Sequence, residues 1–252
     1  MSPRLADLVA VVTGAAGGLG TAIVARLVAE GARVAALDIQ KPLPRAGAPD
    51  GVGGPGTVEH WVCDVADRAA VGDTIADVVD RFGGLDVLVN NAGRLSGRAG
   101  LLEATAEELH HFYDVNAVGP LHMVQACFPH LRDSGHHGRV INVASRTFFT
   151  GAPGQIGYVA SKGALIGMTR VMARELGEHH ICVNAVMPAQ VATPGTRAHS
   201  DDEVFATTMS QQAIQEFVTP EHFAGLVCFL ASEDAALVTG QSIVCDGGGL
   251  LH

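Results

Sequence analysis

The sequence predicts a doubly wound α/β domain, a parallel sheet with helices on both faces. Three observations carry this expectation. Short β-branched apolar runs alternate with helix-spaced segments from one end of the chain to the other. A glycine-rich turn, Gly14 to Gly20, joins the first such run to the first helical segment. Polar residues, Asp38, Asn90 and Ser145, close strands at their carboxyl ends, where sheets of this class bind ligands. The 252 residues, 48% hydrophobic and 17% charged, suit a single domain spanning 1–252 with a substantial core.

The elements follow in order. Residues 8–13 form a buried apolar strand, and residues 21–30 read as a helix closed by Gly31. Residues 33–38 are a second buried strand, which completes a βαβ unit. Residues 41–56 hold Pro42, Pro44, Pro49 and Pro55 with five glycines, so a loop is expected where a crossover helix usually stands. Strands follow at 58–64, 85–90, 138–145 and 181–188, and a last one at 242–246. Helices are expected at 68–82, stopped by Gly83-Gly84, and at 105–131 with a bend near Gly119-Pro120. A further helix runs on from Tyr158, and another spans 220–231 with Pro220 in its first turn. Residues 193–217 are polar and mixed in character, a candidate substrate lid.

Composition excludes several functions. A net charge of −10 argues against nucleic acid or an anionic membrane surface as partner. Residues 8–25 carry no charge, but Gly14, Gly17, Gly18 and Gly20 interrupt them, so no membrane span is expected. Asp7 breaks any apolar leader, which points to a cytoplasmic protein. Five cysteines, an odd number without metal spacing, suit small buried side chains in a reducing compartment. The histidine doublets at 110–111, 136–137 and 179–180 match no ligand pattern, so no metal is expected.

The chemistry gathers on Tyr158 and Lys162. At i and i+4 near a helix start, phenol and ammonium share one face. Tyrosine ionises near ~10, so a phenolate at neutral pH needs about three units, or about 4 kcal/mol. A helix N-terminus supplies up to about 2 kcal/mol. An ammonium at ~4 Å in an effective dielectric of ~20 supplies about 4, so Lys162 is expected to lower the phenol's pKa. Ser145, 13 residues before Tyr158, ends a strand and can hydrogen-bond a substrate oxygen beside it. Gly14, Gly18 and Gly20 lack side chains at a helix start, where a pyrophosphate can approach the backbone. Asp38, at the end of the second strand, suits the adenosine ribose hydroxyls of NAD and repels a 2′-phosphate. No Arg or Lys stands directly before Gly18 or directly after Asp38, so NAD is expected over NADP.

Thr13-Gly-Ala-Ala-Gly-Gly-Leu-Gly20, Asn90-Asn-Ala-Gly93, Asn116, Ser145, Tyr158-x-x-x-Lys162 and Asp246-Gly-Gly248 together resemble the short-chain dehydrogenase/reductase family, in order and spacing along nearly the whole chain. The resemblance implies a Rossmann fold with seven parallel strands, an NAD(P) cofactor and a homotetramer. It implies Tyr158 as acid/base, Lys162 as modulator of its pKa and holder of the nicotinamide ribose, and Ser145 as orienter of the substrate oxygen. By the same resemblance, Asn116 would anchor a water that links Lys162 to solvent. Cofactor contacts fall to Gly14, Gly18, Leu19, Gly20 and Asp38, to Asp64 and Val65 at the adenine, to Asn90, Ala92 and Gly93 in the cleft, and to Pro188, Val191 and Thr193 at the carboxamide. The chain departs from the family in having Pro188-Ala189 for Pro-Gly, and the 41–56 loop for a helix.

Phe148, Phe149, Gln155 and Met187 are candidate walls of the substrate pocket, though a core role for the phenylalanines is equally open. The Ala-Ser-x-Thr-Phe-Phe segment, the run to Lys162, and the Thr239-Gly-Gln and terminal His252 region are similar to family members that oxidise ring-attached alcohols, such as pyridoxal 4-dehydrogenase and 1-phenylethanol dehydrogenase. A small secondary or ring-attached alcohol is therefore the expected substrate. An NAD-linked 3-oxoacyl-thioester reductase is the alternative, and a non-catalytic dinucleotide sensor on the same fold is a remoter one.

Overall fold

The computed structural model describes residues 3–40, 56–95, 100–197 and 200–251. The proline- and glycine-rich stretch 41–55 lies outside them, as do His252 and two positions of the 193–217 segment. Seven parallel strands form one sheet: β1 (Val9–Thr13), β2 (Arg33–Asp38), β3 (Thr57–Val62), β4 (Val87–Asn90), β5 (Arg139–Val143), β6 (Cys182–Pro188) and β7 (Ser242–Cys245). Their order is β3-β2-β1-β4-β5-β6-β7. The winding reverses between β1 and β4, and sheets of this kind open a ligand crevice at such a reversal.

Period-two alternation places the core on both faces. Along β1, Ala10 and Val12 join one apolar cluster while Val9 and Val11 join the other. The first cluster is closed by α1 (Gly18–Ala29) and α9 (Pro220–Ala231), through Ile23, Leu27, Phe223 and Val227. The second is closed by α2 (Arg68–Phe82), α4 (Gly119–Arg132) and α6 (Ile156–Leu176). Truncating a fully buried member such as Ile75 to Ala removes about 2–5 kcal/mol.

Local chemistry sets the helix ends. Asp67 caps α2 by accepting from the Ala69 and Ala70 N–H groups at 2.9 and 3.2 Å, and Gly83, at φ 83°, ends it in the left-handed region. Helix α1 begins at Gly18, earlier than its apolar spacing suggests, so the last glycines of the turn are its first helical residues.

The long helical stretch is α3 (Ala106–Tyr113) and α4, joined through a π turn over Asp114–Val118. The Gly119 N–H reaches back to the Asp114 carbonyl, and Pro120 next to it has no N–H to give. Gly119 sits against Val65, where a Cβ would come within 2.7 Å of Cγ2. The expected bend is thus a widened turn, and it carries Asn116. Between β6 and α9 lie α7 (Pro194–Arg197) and α8 (Asp202–Ser210); α5 (Thr147–Thr150) is a single turn between Ser145 and α6. No described helix is long and apolar enough to cross a membrane.

Candidate active site

Four side chains converge beyond the carboxyl ends of β4 and β5. Ser145 follows β5, is buried, and its hydroxyl lies 2.8 Å from Thr147 Oγ1 and accepts from the Thr147 N–H at 3.2 Å. It also hydrogen-bonds the Tyr158 phenol. Tyr158, in the first turn of α6, rests edge-on against Phe112 at 6.4 Å between centroids. Gly157 makes that approach possible, because a Cβ there would meet the Phe112 ring at 2.7 Å.

Lys162, one turn on, is buried and donates to the Val143 carbonyl at 2.7 Å. Asn116 is fully buried. Its Nδ2 donates to Ser161 Oγ at 3.0 Å and to the Arg94 carbonyl at 3.2 Å, while its Oδ1 accepts from the Arg94 N–H at 2.8 Å. Ser161 in turn donates to the Tyr158 carbonyl at 2.7 Å. The π turn is thereby clamped to the start of α6. Lys162 Nζ and Asn116 Oδ1 both flank Gly93, lying 3.3 and 3.4 Å from where a Cβ would stand.

Burial pushes the Tyr158 phenol up, and the Ser145 hydrogen bond offsets only part of that. The Lys162 ammonium is held by the Val143 carbonyl, and burial pushes it down to about 8. The lysine's own charge is the weakened one.

The glycine-rich turn is built for close backbone approach. Gly14 has φ 62°, and a Cβ on Gly20 would strike the Gly14 carbonyl. Gly17 caps α1 with no side chain, no acidic residue stands in the first turn, and a Cβ at Gly17 would meet only the Gly14 oxygen, at 3.4 Å. The Gly18, Leu19 and Gly20 N–H groups therefore open an anion site at the helix start. Asp38 stands beside it, accepting from the Ala16 N–H at 2.9 Å and the Gln40 N–H at 3.0 Å. A carboxylate has room for about four such bonds, so capacity remains for two hydroxyls. These features fit a dinucleotide, with pyrophosphate at α1 and ribose at Asp38.

The other expected cofactor residues ring the same crevice. Asn90 donates to Asn142 at 2.9 Å and leaves its own Oδ1 buried without a partner. Ala92 donates to Thr13 Oγ1 at 3.0 Å. Asp64 accepts from the Ala66 N–H, and Val65 packs on Gly119. Pro188 ends β6 and Val191 is buried just beyond it. Thr193 crosses over the glycine turn, and a Cβ on Gly18 would come within 2.6 Å of its own Cβ. Ala189 fills the family's glycine position without strain. Its N–H donates to Cys245 at 3.0 Å, and it is not among the described residues with positive φ.

The substrate side differs from expectation at one residue. Met187 is fully buried with Ala144, Ile166 and Ala185, and so belongs to the core and not to a pocket wall. Phe148 and Gln155 line an apolar groove of about 420 Å³, with Pro153, Ile156, Val159 and Leu101, and none of Ser145, Tyr158, Lys162 or Asn116 is in its lining. Phe149 stacks edge-on against Phe148 at 5.1 Å. Sequence reasoning missed Thr13, Asn91 and Ser161, which hold the site together. Asn91 Nδ2 donates to the Thr13 and Gly14 carbonyls, both at 2.9 Å. Its place inside the Asn90-Asn-Ala-Gly93 motif was the available signal.

A family model described as Enoyl-(Acyl carrier protein) reductase matches residues 14–249. The chain is 37% identical to a 3-oxoacyl-(acyl-carrier-protein) reductase of Thermotoga maritima, over 97% of this chain and 98% of the relative. It is 33% identical to a D-beta-hydroxybutyrate dehydrogenase of Rhizobium meliloti, over 95% and 97%. It is 36% identical to a 2-(R)-hydroxypropyl-CoM dehydrogenase of Xanthobacter autotrophicus, over the same shares.

Proposed function

Because this chain belongs to the short-chain dehydrogenase/reductase family, an oxidoreductase family acting on hydroxyl and carbonyl groups with nicotinamide cofactors, we propose that it interconverts a small secondary or ring-attached alcohol and its carbonyl with NAD. The observation that carries this reading is the meeting of Ser145, Tyr158, Lys162 and Asn116 at one end of the sheet.

When bound, the nicotinamide supplies the hydride acceptor. In the oxidative direction Tyr158, as the phenolate, takes the hydroxyl proton of the substrate, and Ser145 holds the substrate oxygen by a hydrogen bond. Thr147, 2.8 Å from Ser145 Oγ, sets which way the serine proton points. Lys162, with a pKa near 8, passes a proton onward at neutral to mildly alkaline pH. Asn116 fixes the first turn of α6, so that phenol and ammonium keep their register. Asp38 supports NAD over NADP, since a 2′-phosphate would meet its carboxylate. The small molecule, not nucleic acid or membrane, is the partner in this reading, and the family's homotetramer is the assembly.

The relative from Thermotoga maritima favours the second reading, an NAD-linked 3-oxoacyl-thioester reductase. Turnover of 1-phenylethanol, pyridoxal and acetoacetyl-CoA separates the two. Tyr158→Phe is expected to keep NADH binding and lose nearly all turnover; retained activity would overturn the role of the phenol.

A further inference from the structure

Arg146 directly follows Ser145, and its side chain is largely buried. Its Nη1 donates to Asp246 Oδ2 at 3.1 Å, across a sequence separation of 100 residues. The backbone carbonyl of Arg146 accepts from the Phe149 N–H at 2.9 Å and so starts the α5 turn. That turn carries Thr147, the hydroxyl partner of Ser145, and Phe148 of the apolar groove. Asp246 is buried, and its second oxygen accepts from the Gly248 and Gly249 N–H groups, each at 3.0 Å. The guanidinium lies 2.8 Å from where a Gly249 Cβ would stand, so a side chain there would displace it.

The C-terminal turn is also the seat of another segment. The Ile214 N–H donates to the Gly247 carbonyl at 2.8 Å, and Ala213 Cβ lies 3.0 Å from the Cβ position of Gly248. Gln212 is buried and donates to the Ile214 and Glu216 carbonyls at 3.0 and 2.8 Å. A Cβ on Gly247, at φ 65°, would strike the Gln212 amide nitrogen. Two segments that are distant in sequence, α5 with Ser145 and the stretch after α8, therefore share one support.

Isolated buried ion pairs add little net stability over apolar residues of the same volume; their best-attested use is to fix one arrangement among several. We infer that Arg146 and Asp246 are positioning residues of the substrate site: their pair holds the serine turn and the 211–217 segment in register through the C-terminal glycine turn. The effect on catalysis rests on the functional reading above. The mechanical coupling does not.

The test uses the full-length protein with Arg146→Met, Asp246→Asn, their double variant, and Arg146→Lys. The double variant removes both charges together, so it remains informative if a single change prevents folding. Three quantities are measured: amide exchange over 211–217, the NADH dissociation constant, and KM for whichever of 1-phenylethanol, pyridoxal and acetoacetyl-CoA is turned over best. Arg146→Met and the double variant are expected to speed exchange over 211–217 tenfold or more and to raise KM about tenfold, with NADH affinity within twofold. Arg146→Lys should recover most of both. Unchanged exchange over 211–217 in the double variant overturns the inference. So does NADH affinity falling as far as substrate affinity, which would mark a general loss of structure. If the wild type turns over none of the three compounds, the functional reading falls, and exchange still decides the coupling.

Discussion

Replacing Lys162 with Met should make the folded chain more stable at neutral pH and less so, relative to wild type, in alkali. The ammonium is buried and its pKa falls from the ordinary 10.5 to about 8. Between those values the unfolded chain binds more protons than the folded one, so stability rises with pH through that window. Below pH 8 the full cost of burying the charge is present. The shift corresponds to about 3 kcal/mol at pH 7.5, falling to about 1 at pH 10, at about 1.4 kcal/mol per pKa unit. Methionine removes this cost and leaves the Val143 carbonyl without its donor, a loss of about 1–3 kcal/mol that does not vary with pH. The stability difference between variant and wild type should therefore change by about 2 kcal/mol between pH 7.5 and 10, in favour of wild type as pH rises. Shifts at the cysteines and Tyr158 occur in both proteins and cancel. Urea unfolding at both pH values and one protein concentration measures the difference directly. A gap of equal size at the two pH values would refute the claim that Lys162 is held against its own charge.

Thr147→Val should move the rising limb of the oxidation pH profile to higher pH by leaving Ser145 free to turn from Tyr158, and Thr147→Ser should restore it; steady-state rates from pH 6 to 10 read both. Asp38→Ser should raise the KM for NAD roughly tenfold, about 1.4 kcal/mol, and narrow the preference over NADP, as kinetics with each cofactor would show. Asn91→Ala removes two hydrogen bonds joining β4 to the glycine turn, and should lower stability by about 2–3 kcal/mol in urea unfolding.

Most of the fold was legible because local signals and the sheet agree. Arg33–Asp38, Arg68–Phe82 and Pro220–Ala231 stand at their expected bounds, since a strand-end carboxylate ends the first, a glycine ends the second and a proline opens the third. The bounds slipped where backbone geometry overrides side-chain spacing. Helix α1 starts inside the glycines because residues without side chains give no periodicity to read. The π turn was visible only as Gly119-Pro120, because a widened turn depends on one carbonyl–amide pair, Asp114 to Gly119, that no residue type encodes.

The site was legible as a set of residues and less so as a set of interactions. Spacing along one helix brings Tyr158 and Lys162 onto a common face, but it does not say which acceptor the ammonium meets. The Val143 carbonyl, at the end of a strand buried on both faces, accepts that hydrogen bond at 2.7 Å. Burial then acts on both groups against their charged forms, raising the phenol and lowering the lysine. Coulomb reasoning at a fixed distance and dielectric leaves out this term. Met187 failed for a related reason: its place near the end of β6 suggested a pocket wall, whereas the register Met187 to Val244 turns it into the apolar cluster under α6. Which side chains surround a site follows from pairing between strands, and a single chain read in order carries that only where the apolar pattern alternates. Strands buried on both faces, as β5 and β6 nearly are throughout, do not alternate.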